Sequence, residues 1–153
     1  MHKLKLYLDT SVFGGVFDEQ FSDASRKFFE AAERERFQIV ISAVVFDEIS
    51  LAPRQVREFF DGLLSRMEVV DIDKAALDLQ GAYLKHNIVT AKWYDDALHV
   101  ALATVAGCDG IVSWNFKHIV NFRKIPLYNA VNILSEYKSL FIHSPMEVVY
   151  EGK

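Results

Sequence analysis

Lys3-Leu4-Lys5-Leu6-Tyr7-Leu8-Asp9 alternates polar and apolar side chains, then closes on a carboxylate followed by the hydroxyls of Thr10 and Ser11. A period of two is the signature of a half-buried β-strand. In an open α/β sheet, ligands gather outside the carboxyl ends of the strands. A strand that ends on Asp9 therefore offers a ligand position. Its meaning depends on whether further acids reach the same place.

The rest of the chain alternates strand and helix signals. Ser22 is placed to cap a helix over 22–36, with Phe28, Phe29 and Ala32 inward and Glu33, Arg34 and Glu35 in solvent. Residues 37–41 read as a second strand, and Ser42 as the cap of a helix over 43–51 that stops before Pro53. An amphipathic helix is expected over 54–65, a short strand over 67–70, and a helix from a cap at Asp73 to about 86. A mostly apolar, hence buried, helix follows over 94–106, then a fourth strand over 110–113. In the tail, 129–137 reads as helix, 140–143 as a fifth strand, and Pro145 as the start of a short helix. This order predicts a three-layer α/β fold, with a central parallel sheet of about five strands flanked by helices. No repeat, low-complexity tract or linker divides the 153 residues, so one domain over 1–153 is expected.

Bulk composition narrows the function classes. With 51% hydrophobic and 25% charged residues, the chain has the make-up of a folded globule rather than a disordered one. A formal net charge of −4 does not announce the broad basic face of a nucleic-acid binder, although local phosphate contacts stay open. Cys108 is the only cysteine, which excludes an intramolecular disulfide and a cysteine zinc cluster. Met1-His2-Lys3 leads straight into the first strand, and the most apolar stretch, 97–107, is too short to span a bilayer. A cytoplasmic protein without a membrane segment is the expectation.

Two further acids stand where Asp9 needs company. Glu48 lies in Ser42-Ala43-Val44-Val45-Phe46-Asp47-Glu48-Ile49, on the helix after the second strand. Asp96 opens the buried helix in Tyr94-Asp95-Asp96-Ala97-Leu98-His99-Val100-Ala101, where the helix dipole favours a negative side chain. Taken alone, Asp95 and Asp96 read as helix caps before they read as chemistry. Carboxylate and carbonyl oxygens suit Mg²⁺ or Mn²⁺ rather than a soft metal.

Four runs carry a family resemblance: Tyr7-Leu8-Asp9-Thr10-Ser11, then Ser42 through Ile49, then Asp96 through Ala101, then Val112-Ser113-Trp114-Asn115. In that order they resemble the PIN-domain nucleases, and most of all the small VapC-type toxins of toxin–antitoxin modules. The resemblance implies a PIN-like fold and an acidic pocket of Asp9, Glu48 and Asp96 around Mg²⁺ or Mn²⁺. A fourth position, often Asp in the family, is Asn115 here, a neutral auxiliary ligand, with His118 one helical turn on. The implied activity is endoribonuclease hydrolysis of RNA phosphodiesters. The implied partners are an RNA substrate, a small antitoxin and a second copy in a homodimer. The alternative is a non-catalytic PIN-like module that binds RNA or protein.

The neighbours of these acids divide between chemistry and packing. Thr10, Ser11 and Ser113 are placed to bond Asp9 or a phosphate, or simply to make turns. His99 reads as a core histidine that could orient a carboxylate. Lys92, Arg54, Arg57, Lys117, Arg123 and Lys124 could touch phosphates, with solvated surface charge the commoner role, and packing is the expected role of Trp93 and Trp114. Gly14-Gly15 lacks the Gly-Lys-Ser/Thr signature of a phosphate loop, and neither a Gly-x-Ser-x-Gly elbow nor a His-Glu-x-x-His helix occurs. An aspartyl-phosphate route through Asp9 lacks the second Asp two residues on.

Overall fold

The computed structural model describes residues 3–34 and 36–149, and expectations that touch Met1, His2, Glu35 and 150–153 lie outside them. Five parallel strands form one sheet: β1 Leu4–Leu8, β2 Phe37–Ser42, β3 Glu68–Val70, β4 Gly110–Val112 and β5 Phe141–His143. Their spatial order is β3-β2-β1-β4-β5. The central strand is β1, which pairs Leu6 with Ile39 on one side and with Gly110 on the other. Its polar alternation stops at Lys5, and Leu6, Tyr7 and Leu8 are all buried. The half-buried reading of this strand is therefore corrected over its second half. A parallel strand covered on both faces keeps no solvent side, so Tyr7 is interior and its hydroxyl needs a partner there.

Strand order reverses at β1. The chain steps from β1 to β2 to β3 in one direction, then returns to β4 and β5 on the other side of β1. Such a switch point opens a crevice at the carboxyl ends of the two diverging strands. The residues after β1 and β4 are Asp9 and Ser113. They are the first chain atoms to line it.

The helices are α1 Thr10–Gly15, α2 Ser22–Glu33, α3 Ala43–Ser50, α4 Arg54–Leu63, α5 Lys74–Lys85, α6 Tyr94–Val105, α7 Lys124–Leu134 and α8 Pro145–Val149. They pack in two groups: α1, α2, α3 and α4 with α8, and α5 with α6 and α7. Right-handed crossovers place helices of opposite strand progressions on opposite faces, which yields the three layers. An aromatic cluster fills the first group, where Phe13 meets Phe60 edge-on at 5.1 Å and Phe29 meets Phe59 at 5.0 Å. Asp73 caps α5 through a 2.9 Å bond from the Ala76 N–H. Gly107, at φ +74°, stops α6 in the left-handed conformation and turns the chain toward β4.

One helix stands where none was expected, and two local readings are corrected. Residues 10–15 form α1, although two glycines and two β-branched residues give no helical pattern there. The tail helix starts at Lys124 and ends at Leu134, rather than spanning 129–137, because Pro126 falls within its first turn and does not break it. Ser42 holds the N-cap position of α3 without a side-chain capping bond, since its hydroxyl is taken by Tyr7.

Candidate metal centre

Asp9 leaves β1 in extended backbone and its carbonyl opens α1, accepting from the Val12 N–H at 3.4 Å. Its carboxylate is buried and both oxygens are held. Ser11 Oγ donates to Oδ1 and Ser113 Oγ to Oδ2, each at 2.6 Å. Both hydroxyls are themselves oriented by the loop after β4, because the Trp114 N–H donates to Ser11 Oγ and the Asn115 N–H to Ser113 Oγ, each at 2.9 Å. One loop thus grips both carboxylate oxygens through two hydroxyls. Trp114 anchors that loop, stacked on Phe21 at 4.1 Å and bonded through Nε1 to Ser25 Oγ at 2.9 Å.

Glu48 comes to the same end of the sheet on α3. Its Oε1 accepts from Thr10 Oγ1 at 2.5 Å and from His99 Nε2 at 2.9 Å. Because a carboxylate only accepts here, Nε2 carries the proton. The other ring nitrogen, Nδ1, is 2.8 Å from Tyr7 OH, which lies 2.7 Å from Ser42 Oγ. Ser42, Tyr7, His99 and Glu48 form one polar chain, buried up to the half-buried Glu48, that crosses from β2 through β1 to α6 and α3. Burial keeps the Tyr7 phenol protonated, well above its ordinary range.

The acids and the imidazole set one another's charge. Burial pushes the Asp9 carboxyl up, and His99, Ser11 and Ser113 work against that shift without reversing it. Burial also disfavours charge on Glu48, but the bonds from His99 and Thr10 prevail and hold it below the usual carboxylate range. For His99 burial opposes protonation, yet the bond to Glu48 and the charges of Asp9, Glu48 and Asp96 raise it. Three carboxylates therefore surround His99 electrostatically. No Lys or Arg ion pair reaches Asp9 among the described residues.

The remaining expected residues lie on the flank. Asp96 is half-buried in the first turn of α6, with Asp95 beside it and exposed. Neither caps the helix, whose N-cap is Trp93. Asn115 is half-buried and its Oδ1 accepts from the His118 N–H at 2.9 Å, so this oxygen already serves the loop. His118 is buried, stacked on Trp93 at 4.3 Å, with its Nδ1 3.3 Å from Lys124 Nζ.

A PIN domain model matches residues 5–117. The chain belongs to the PIN-domain family. No curated protein matches it by sequence at a significant level. Among solved structures, a chain of VapBC2 from Rickettsia felis, determined bound to a DNA fragment from its promoter, is similar in fold. It is 17% identical, with a TM-score of 0.60, over 92% of this chain and 98% of that one. A chain of a toxin-antitoxin complex from Klebsiella pneumoniae gives a TM-score of 0.58 and 16% identity, over 78% of this chain and 93% of that one. The four runs that carried the resemblance all fall inside the matched PIN region.

PIN nucleases generally use divalent metals, and the donor chemistry here fits one. Asp9, Glu48 and Asp96 offer only hard oxygen ligands. Asp9 in particular is a buried carboxylate, fixed at both oxygens, whose charge has no side-chain cation bonded to it. Among the described residues no three His, Cys, Asp or Glu side chains are gathered closely enough to cage one ion. Two site neighbours come from elsewhere in the patterning: His99 is assigned to the core, and Tyr7 falls on the polar face of the alternating strand. A spacing signal exists for both: His99 follows Asp96 by three residues on one helix face, and Tyr7 precedes Asp9 by two on one strand face.

Proposed function

We propose that this PIN domain is a Mg²⁺- or Mn²⁺-dependent endoribonuclease, with Asp9, Glu48 and Asp96 holding the metal and Asn115 as a neutral auxiliary. The observation that carries this reading is the Asp9 carboxylate, buried at the topological switch point and gripped on both oxygens without a bonded cation. A divalent ion supplies Lewis-acid polarisation of a phosphodiester and a water acidified toward hydroxide. The chain's own part is placement. Ser11 and Ser113 aim Asp9, while Thr10 and His99 aim Glu48 through its Oε1. Uncompensated, these acids repel a phosphodiester, so RNA should not be cut without the ion.

The wider reading is a type II toxin of the VapC kind, one domain over 1–153, active in the cytoplasm, paired with a small antitoxin and self-associating as a homodimer. The fold likeness to chains from two toxin–antitoxin assemblies supports the antitoxin partner. Among the described residues no helix is long and apolar enough to cross a membrane. A second reading, a PIN module that binds without cutting, draws support from Asn115 and from the open spacing of the acids.

The test is cleavage of a mixed RNA pool with Mn²⁺, with Mg²⁺ and with EDTA. Wild type should cut only with metal. Asp9→Asn and Asp96→Asn should each lose about 1,000-fold, roughly 4 kcal/mol of barrier, and Asp95→Asn less than about twofold. Inactive wild type under every metal condition favours the binding module. Cleavage that survives Asp9→Asn places the chemistry elsewhere.

A further inference from the structure

Four lysines elsewhere in this chain have acids to hold. Lys5 pairs with Glu68, Lys27 with Asp23, Lys74 with Asp78 and Lys138 with Asp109. Lys92, Lys117 and Lys124 have no such ion pair among the described residues, and they gather on one aromatic pair instead. Lys92 Nζ stands 5.0 Å and Lys117 Nζ 5.3 Å from the Trp93 ring centroid. Trp93 stacks on His118 with 26° between the planes, and Lys124 Nζ reaches His118 Nδ1 at 3.3 Å. A lysine ammonium only donates, so Nδ1 accepts and the ring proton sits on Nε2. That Nε2 is buried and has no acceptor among the described residues.

The cluster borders the acids. Trp93 is the N-cap residue of α6, three residues before Asp96, and the His118 N–H is bonded to Asn115. The charge of Asp96 acts on both His118 and Lys124 through space, and Lys117 acts on the same two groups with the opposite sign. Cation–π contacts at exposed sites give each lysine only about 0.5–1 kcal/mol. Three like charges kept within mutual reach, with no carboxylate bonded to any of them, match a ligand with closely spaced negative charges. The acids of the metal centre repel such a ligand, so the attraction must come from beside them.

We propose that Lys92, Lys117 and Lys124, arrayed on the Trp93–His118 stack, bind the phosphodiester backbone of single-stranded RNA next to the bond that is cut. The choice of RNA rests on the endoribonuclease reading. The stack holds the ammonium groups at fixed spacing, and the strand passes from them onto Asp96 and Asp9. Because Trp93 already carries the His118 ring and two ammonium groups, the contact is to phosphates and carries no base preference.

The experiment measures binding, without cleavage. A short dye-labelled oligouridylate is titrated by fluorescence anisotropy with the full chain in EDTA, at KCl from about 50 to 200 mM. Each phosphate-bound lysine contributes about 0.7 to the salt slope on a single strand, so Lys92→Ala/Lys117→Ala should flatten it by about 1.4. Lys92→Arg/Lys117→Arg should keep the wild-type slope. Lys5→Ala/Arg66→Ala removes two charges from the amino end of the sheet and should also keep it. Circular dichroism checks that each variant is folded. An unchanged slope in Lys92→Ala/Lys117→Ala overturns the subsite, as does an equal flattening in Lys5→Ala/Arg66→Ala, or no binding by wild type. A lysine-dependent slope in a chain that never cleaves keeps the subsite and removes the hydrolase reading. Cleavage with a lysine-independent slope does the reverse.

Discussion

At the amino end of the sheet, Lys3, Lys5, Glu33, Arg66 and Glu68 line an open cavity of about 830 Å³. There Lys5 pairs with Glu68 at 3.2 Å and Arg66 with Glu33 at 3.3 Å, all four side chains well exposed. At the carboxyl end, Asp9 is buried and Glu48 half-buried, their hydrogen bonds come from hydroxyls and an imidazole, and the cations stand apart on Trp93 and His118. At the amino end Lys5, Glu68, Glu33 and Arg66 cancel one another pairwise in water, where such pairs contribute about 0–1 kcal/mol. At the carboxyl end Asp9 is out of water with no cation bonded to it, while Glu48 is bonded to His99. A buried acid with no cation bonded to it, at a switch point, sets the carboxyl end apart from the amino end.

The largest effect that would break this comparison concerns His99, which aims Glu48 and does not touch a ligand in this reading. His99→Phe keeps the ring shape and removes both bonds, leaving Glu48 with Thr10 alone and Tyr7 with Ser42 alone. Mn²⁺ affinity should fall about 10–100-fold, the usual cost of losing a residue that orients a metal ligand. His99→Gln, which keeps a donor for Glu48, should fall between it and wild type. Equal Mn²⁺ affinity in all three, with the fold intact, would reduce the Ser42–Tyr7–His99–Glu48 chain to core packing.

A smaller effect tests how tightly the carboxyl end is built. A Cβ on Gly15 would lie 2.6 Å from both Ser25 Oγ and Trp114 Nε1, the bonded pair that anchors the loop gripping Asp9. Gly15→Ala should destabilise by about 1–3 kcal/mol through overpacking. Gly14 has nothing within 4 Å of such an atom, and Gly14→Ala should be neutral or stabilise by up to about 1 kcal/mol. Thermal or urea unfolding separates the two, and equal behaviour would mean that Trp114 moves aside freely. At the amino end Lys5→Ala should change stability by less than about 0.5 kcal/mol. A loss as large as that of Gly15→Ala would show that the exposed pairs matter after all.

Much of this was legible before any coordinates. Strong periodic signals located β2, α2 and α5 to within a few residues, and Asp73 capped as expected, whereas the Ser42 hydroxyl was drawn off by the distant Tyr7. Strand order was not legible, since it depends on which long-range pairs form. The short helix α1 was missed because Thr10, Ser11, Gly14 and Gly15 are poor helix formers, held in place by packing of Val12 and Phe13 in the core. At the site, Asp9 could be singled out because a strand-terminal acid has no obvious capping duty. His99 was legible as a core histidine able to orient a carboxylate, and it bonds Glu48. The parts of Ser42 and Tyr7 were not, because one looks like a cap and the other like a strand residue in its own segment. Only the crossing of two strands and two helices shows that they form one bonded chain. Asn115 was read through its carbonyl oxygen, and that oxygen is bonded to the loop's own His118 N–H.

Calorimetric titration of Mn²⁺ tests the central claim most directly. Wild type should take up Mn²⁺ with saturating heat, and Asp9→Asn should weaken the uptake at least about tenfold, since one formal charge is lost beside a divalent ion. Glu33→Gln/Glu68→Gln removes two carboxylates from the amino end and should titrate like wild type. Asp9→Asn binding as well as wild type, or Mn²⁺ uptake lost with Glu33 and Glu68 instead, would contradict the assignment of the cation site to the carboxyl end of the sheet.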